Sequence, residues 1–170
     1  MANVRVSKSD VQGLGVFAAR DFAEGETIIV LDDSRVVDAD NPLRPELGEF
    51  EHHCDYLADG KIILQGIPER YINSSCDPNA YARRDESGSR VIARRPIRAG
   101  EEITYDYIID CHNGAVWQCN CGSARCRKTI VASFFDLPLT LQIEYLPLLN
   151  KWFVNEHKDK VEILRKIAGA

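Results

Sequence analysis

Three cysteines crowd into eight residues as Cys119-x-Cys121-x-x-x-x-Cys126, and three more stand upstream at Cys54, Cys76 and Cys111. Thiolates on a tight turn containing Asn120 and Gly122 can take three corners of a tetrahedron around zinc at about 2.3 Å each, the fourth ligand coming from elsewhere in the chain. Spacing alone leaves that ligand open among Cys54, Cys76, Cys111 and His112. A closed set of four thiolates makes the zinc structural, because a catalytic zinc keeps one position free. Six cysteines also suit a disulfide framework, but that needs a secreted setting. The first residues, Met1-Ala2-Asn3-Val4-Arg5-Val6, run straight into alternating polar and apolar positions, without the charged head and apolar run of a secretory signal. The expected setting is the cytoplasm, with the nucleus open to a eukaryotic chain.

Gly13-Leu14-Gly15-Val16-Phe17-Ala18 fits the Gly-x-Gly-x-x-Gly/Ala spacing of a dinucleotide loop, and Asp33 follows at about the right distance. The context is wrong for that use: Val4-Arg5-Val6-Ser7-Lys8 is half polar, and Gly25 cuts short any helix after Ala18. The glycines instead mark a loop where backbone comes close to a ligand or to another strand. Cys76 with His52 or His53 as base would make a nucleophile, but nothing in the sequence positions the pair. The sequon Asn73-Ser74-Ser75 has no secretory signal to give it meaning.

The elements that must hold these residues come from 170 residues, 45% hydrophobic and 28% charged, enough for one globular core without disulfides. No apolar run approaches the roughly 20 residues of a membrane-spanning helix. The net charge of −5 is uneven, since residues 32–60 carry nine acids against Arg35 and Arg44. An acidic chain with no dense Lys/Arg cluster is a poor nucleic-acid binder. The acidic segment suits a basic partner, or simply wets a surface loop.

Val4–Ser7, Val16–Ala18, Thr27–Leu31, Lys61–Gln65 and Glu102–Tyr107 read as short strands, and Tyr81–Arg84 and Arg90–Ala93 as a hairpin around Ser87-Gly88-Ser89. Phe22-x-x-Gly25-Glu26-x-Ile28 is echoed by Ile97-x-x-Gly100-Glu101-x-Ile103, each read as strand, Gly turn, strand. From Phe134 the pattern turns helical, with Leu141, Tyr145, Leu148, Leu149, Trp152 and Phe153 continued by Val161, Leu164 and Ile167. Pro138 and Pro147 suit first turns, so two or three short helices are expected. Their apolar face packs on this domain or on a second copy, which leaves the oligomeric state open.

Four blocks in one order, Gly13-Leu14-Gly15, Arg70-Tyr71-Ile72-Asn73-Ser74-Ser75-Cys76-Asp77-Pro78-Asn79, Gly100-Glu101-Glu102-Ile103-Thr104-Tyr105-Asp106-Tyr107 and Cys119-Asn120-Cys121-Gly122-Ser123-Ala124-Arg125-Cys126-Arg127, resemble the SET-domain protein-lysine methyltransferases with a post-SET zinc segment. The resemblance implies a mainly β fold of small sheets, with the Arg70–Asn79 and Glu102–Tyr107 segments crossing in a pseudoknot at the active site. It divides the chain into a SET domain at 1–110 with a variable acidic insert at 32–60, a post-SET zinc segment at 111–130 and a helical extension at 131–170. Cys76 becomes the preferred fourth zinc ligand. Gly13, Leu14, Gly15, Tyr56, Arg70, Asn73 and Ser74 would line the S-adenosylmethionine pocket, with Ile130 covering the adenine. Tyr107 would be the active-site tyrosine and Tyr105 the Phe/Tyr switch, whose hydroxyl limits the products mainly to mono- and dimethyl-lysine. Read without these blocks, both would be ordinary strand aromatics. Ser74 stands where the family has His, and Lys128 where it often has Gly. The expected partner is a basic protein or peptide such as a histone, gripped by the acidic insert, with no nucleic acid and no membrane. The other reading is a zinc-stabilised binding module that has lost catalysis.

Overall fold

The computed structural model describes residues 2–169. Twelve short strands precede a helical end: β1 (Val4–Lys8), β2 (Leu14–Ala18), β3 (Thr27–Val30), β4 (Val36–Val37), β5 (Cys54–Tyr56), β6 (Ile62–Leu64), β7 (Asn73–Ser74), β8 (Ala80–Asp85), β9 (Gly88–Ala93), β10 (Glu102–Tyr105), β11 (His112–Gln118), β12 (Thr129–Ser133), then α1 (Leu139–Tyr145), α2 (Lys151–Glu156) and α3 (Lys158–Ala168). They form four small sheets, ordered β1-β2-β10-β7, β3-β9-β8, β4-β6-β5 and β11-β12. The fold is therefore mainly β. Among the described residues no helix is long and apolar enough to cross a membrane.

The sequence echo is a structural one. Phe22 and Ile97 exchange both backbone hydrogen bonds, at 2.8 and 2.9 Å. The Gly25 N–H donates to Ala93 O while the Gly100 N–H donates to Ala18 O, and the Ala93 and Ala18 N–H groups return to Glu26 O and Glu101 O. Gly25 and Gly100 have φ of 80° and 91°, left-handed positions that glycine occupies without steric cost. Each repeat thus closes the other's turn, and the pair ties β2 to β10 and β3 to β9.

Two cores result. Val16, Phe22, Ile28, Ile72, Val91, Ile97 and Ile103 form one between the first two sheets. The other joins Ile108, Ile130, Phe134, Tyr145, Phe153, Val161 and Leu164, so the β11-β12 hairpin and the C-terminal helices share one interior. On α3, Val161 and Leu164 face this core while Ile163 and Ile167 stay more than half exposed.

The expected strands outside the insert correspond to β1, β2, β3, β6, β8, β9 and β10. The acidic segment differs from a plain loop: it contributes β4 and β5, paired on either side of β6. Strands of two and three residues leave no periodicity to read, and their pairing through β6 is long-range.

Candidate active site and zinc centre

Tyr105 ends β10 and Tyr107 follows it, at the place where β10 runs parallel to β7 in the register Thr104↔Asn73 and Tyr105↔Ser74. The two expected segments do lie side by side here. Ser75 N–H donates to Tyr105 O at 3.1 Å. Asn79, 3% exposed, accepts from Thr104 N–H at 2.9 Å and donates to Glu102 O at 2.8 Å. Ser74 Oγ accepts the Tyr107 N–H at 3.3 Å, so a hydroxyl at this position holds the backbone ahead of the tyrosine ring. The Tyr107 hydroxyl donates to Ile72 O at 2.6 Å, and the Tyr105 and Tyr107 rings lie 5.4 Å apart. Tyr107 is 43% exposed, yet its hydroxyl end is enclosed, and burial, aided by Asp55, pushes that phenol up to about 12. Burial, with Asp55 nearby, pushes Tyr105 well above the usual tyrosine range. Both phenols therefore stay neutral at physiological pH and act as hydrogen-bonding groups rather than as bases.

The glycine loop abuts the same crossing. Asn73 Nδ2 lies 3.0 Å from Leu14 O, 3.2 Å from Gln12 O and 2.8 Å from Glu102 Oε1. Ser9 Oγ donates to the Glu102 carboxylate at 2.8 Å. Gly15 has no room for a side chain, since a Cβ there would come within 2.3 Å of Glu102 Oε1 and 2.9 Å of Ser9 Cβ. Leu14 is 46% exposed beside it. Gly13, Leu14, Gly15 and Asn73 are thus brought together, while Ser74, next on β7, turns to the Tyr107 N–H. The close neighbours of the loop include Ser9 and Glu102, which sequence reasoning missed. The doubled acid of Gly100-Glu101-Glu102 was the available signal.

The other expected pocket residues have partners of their own. Arg70 ties two loops together, donating to Gln65 O at 3.0 Å and Gly48 O at 3.4 Å. Tyr56, 51% exposed, lies on β5 and donates to Glu51 at 3.1 Å. Ile130 is 2% exposed within the second core.

On its other side the crossing opens into a cleft of about 630 Å³. Tyr105 and Tyr107 line it together with Glu51, Asp55 and Tyr56 from the insert, Asp110, Cys111 and Trp117 from the segment after β10, and Asn150 and Trp152 from the C-terminal end. Asn150, 2% exposed, clasps these walls: it accepts from Arg84 N–H at 2.7 Å and donates to Ala82 O and to Asp110. Arg84 is ringed by Asp33 at 3.0 Å, Asp55 at 2.7 Å and Glu69 at 3.2 Å. Burial, with Asp55 beside it, pushes Glu69 up to about 8. Three of the insert's acids, Asp33, Glu49 and Asp55, are in ion pairs. Glu49 is held by Arg44 and Arg35, which pull it down to about 2; Asp55, paired with Arg84, lines the cleft together with Glu51.

The thiols of Cys76, Cys119, Cys121 and Cys126 gather within 4.8 Å of one another. Zn–S bonds of about 2.3 Å in a tetrahedron set sulfurs about 3.8 Å apart, and Cys76 and Cys119 Sγ are 3.7 Å apart. The donor set therefore fits a structural zinc. The other candidates for the fourth place are engaged elsewhere, Cys54 with Phe50 O, Cys111 with Ala132 O and His112 with Ser133. Burial raises the Cys76 thiol against the pull of Arg127, a balance that a bound cation reverses by deprotonating the sulfur. Arg127 links this cluster to the crossing: its Nε donates to Cys76 Sγ at 3.3 Å and its Nη2 to both oxygens of Asp106 at 2.7 and 2.8 Å. Asp106 directly precedes Tyr107 and is fully buried. Lys128, next in line, has φ of 66°, the left-handed conformation that favours glycine.

This arrangement of small sheets, a parallel crossing with paired tyrosines and a four-thiol cluster is that of a SET domain with a zinc-bearing tail. The chain matches the SET domain over residues 13–108, and it belongs to that family. Among curated proteins it is 34% identical over 138 residues to the histone-lysine N-methyltransferase trr of Drosophila melanogaster, covering 74% of this chain and 6% of that one. It is 33% identical over 137 residues to human histone-lysine N-methyltransferase 2D, covering 74% and 2%. The H3 lysine-36 specific histone-lysine N-methyltransferase of Candida albicans is 28% identical over 144 residues, covering 75% and 16%. The chain thus spans only a small part of the length of these relatives.

Proposed function

We propose that this chain is an S-adenosylmethionine-dependent protein-lysine N-methyltransferase that adds mainly one or two methyl groups to a basic protein such as a histone. The observation that carries the reading is the crossing itself: two neutral phenols face a cleft on one side, while a glycine loop approaches the same strands from the other. The relatives' names support the substrate class. S-adenosylmethionine, when bound, supplies a sulfonium-activated methyl group to an amine. Gly13, Leu14, Gly15, Asn73 and Ser74 would hold it, with Arg70 and Tyr56 reaching in from the insert side and Ile130 shaping the pocket from inside the second core.

The chain's own residues would then perform three tasks. Glu51 and Asp55 at the cleft attract a cationic side chain. A free lysine has a pKa of about 10.4, and enclosure in the cleft against the Tyr105 and Tyr107 rings disfavours its ammonium form, so that it enters the reaction as an amine. The Tyr107 hydroxyl, fixed against Ile72 O at 2.6 Å, aligns that amine, and alignment supplies much of the rate. Tyr105 keeps a polar hydroxyl where a third methyl group would have to fit. Cys76, Cys119, Cys121 and Cys126 would bind structural zinc, with residues 1–110 as the SET domain, 111–130 as the post-SET segment and 131–170 as an extension that completes the cleft.

Incubating the zinc-loaded protein with labelled S-adenosylmethionine and core histones tests this. Label recovered as methyl-lysine is expected. No label together with no cofactor binding in a titration would overturn the reading and leave a binding module.

A further inference from the structure

Gln65, the residue after β6, is 9% exposed and lies against Tyr105. Its backbone is fixed at both ends, the N–H donating to His53 O at 2.9 Å and the carbonyl accepting from Arg70 at 3.0 Å. Its side-chain Nε2 lies 3.0 Å from Asp55 Oδ1 and 3.3 Å from the Tyr105 hydroxyl. A carboxylate only accepts, so Asp55 decides which end of the amide faces inward, and Arg84 at 2.7 Å anchors Asp55 in turn. One amide hydrogen goes to Asp55 and the other to the Tyr105 oxygen. The Tyr105 hydroxyl is therefore an acceptor on its inner side and must donate its own proton elsewhere. Among the described residues no protein group takes that proton, and the ring lines the cleft.

We infer that Gln65 is a positioning residue that sets how many methyl groups are transferred, by turning the Tyr105 O–H into the cleft to hold a water where a more highly methylated amine would need space. The inference rests on the methyltransferase reading above. Without the Gln65 amide nothing fixes the direction of the Tyr105 O–H, and the water loses its anchor.

The test is the product distribution on a histone peptide, read by mass spectrometry for wild type, Gln65→Leu, Tyr105→Phe and the double variant. Gln65→Leu is expected to raise the trimethyl-to-dimethyl ratio by about fivefold, the equivalent of one hydrogen bond. It should leave zinc content and cofactor affinity unchanged and add nothing to Tyr105→Phe. If Gln65→Leu does not fold, Asp55→Asn, which frees the amide to flip, should shift the ratio in the same direction by less. An unchanged ratio in a folded Gln65 variant, when Tyr105→Phe does shift it, overturns the inference alone. An effect of Gln65→Leu that persists in the Tyr105→Phe background also overturns it, because the residue would then act by another route. Unchanged products in Tyr105→Phe would remove the tyrosine's role and this inference with it. A wild type that makes no methyl-lysine would remove the activity beneath both.

Discussion

Toward the glycine loop, the β7/β10 crossing presents backbone carbonyls, one asparagine amide and a glycine with no space for a methyl group. Toward the cleft, Tyr105 and Tyr107 face carboxylates, an arginine, tryptophans and an asparagine clasp drawn from the insert, from β8, from the segment after β10 and from residues beyond 149. The first face depends on how closely strands approach. The second depends on ion pairs and hydrogen bonds between distant segments, and sequence can change there without disturbing the crossing. A SET domain can in this way keep one chemistry while its cleft walls are rebuilt.

Four experiments would break or sharpen that contrast. Removing zinc should have the largest effect, because a structural four-thiolate site contributes on the order of 10 kcal/mol and Cys76 belongs to the crossing segment itself. A chelator should release one zinc per chain and collapse the near-UV signal of Trp117 and Trp152; retention of that signal would mean the tail holds without metal. Asn150→Ala strands the Arg84 N–H and one oxygen of the Asp110 carboxylate, and should cost about 3 kcal/mol in a denaturant titration. Cofactor affinity of the protein that remains folded should stay intact, since the clasp serves only the cleft.

Gly15→Ala acts on the opposite face. A Cβ 2.3 Å from Glu102 Oε1 forces the loop outward at about 2 kcal/mol, and calorimetry should find weaker cofactor binding with little change in KM for the peptide. Glu69→Gln should matter least at neutral pH. In the fold Glu69 keeps its proton up to about 8 rather than 4.5, so the native state binds more protons than the unfolded chain between those values. Its contribution to stability therefore falls as pH rises through that window. The variant should flatten the decline of the urea midpoint from pH 4.5 to 8, whereas a parallel decline would mean other groups cause it.

The same contrast separates what was legible in the sequence from what was not. Asn73, Ser74, Cys76, Tyr105 and Tyr107 lie in contiguous strings whose residue types follow from close approach, ligation or a phenol at a strand end. The 22–28 and 97–103 echo was legible as two like turns, but their pairing with each other was seen only in the fold. The cleft walls had no such local signature. Arg84 meets Asp33, Asp55 and Glu69 across 51, 29 and 15 residues, and Asn150 reaches Arg84 across 66. Charge counting found the acids of the insert but could not assign Arg35 and Arg44 to Glu49, nor tell that Glu51 and Asp55 line the cleft.

The central claim, that the tyrosine beside the crossing aligns the accepting amine, is tested most directly by Tyr107→Phe. The substitution removes one hydroxyl and its bond to Ile72 O, and leaves Cys76, the glycine loop and the cleft walls in place. Methyl transfer to histone lysine, compared at equal zinc content and saturating S-adenosylmethionine, should fall by about a hundredfold while cofactor affinity stays within about twofold. Transfer at the wild-type rate by the zinc-loaded variant would contradict the account and move the chemistry away from Tyr107.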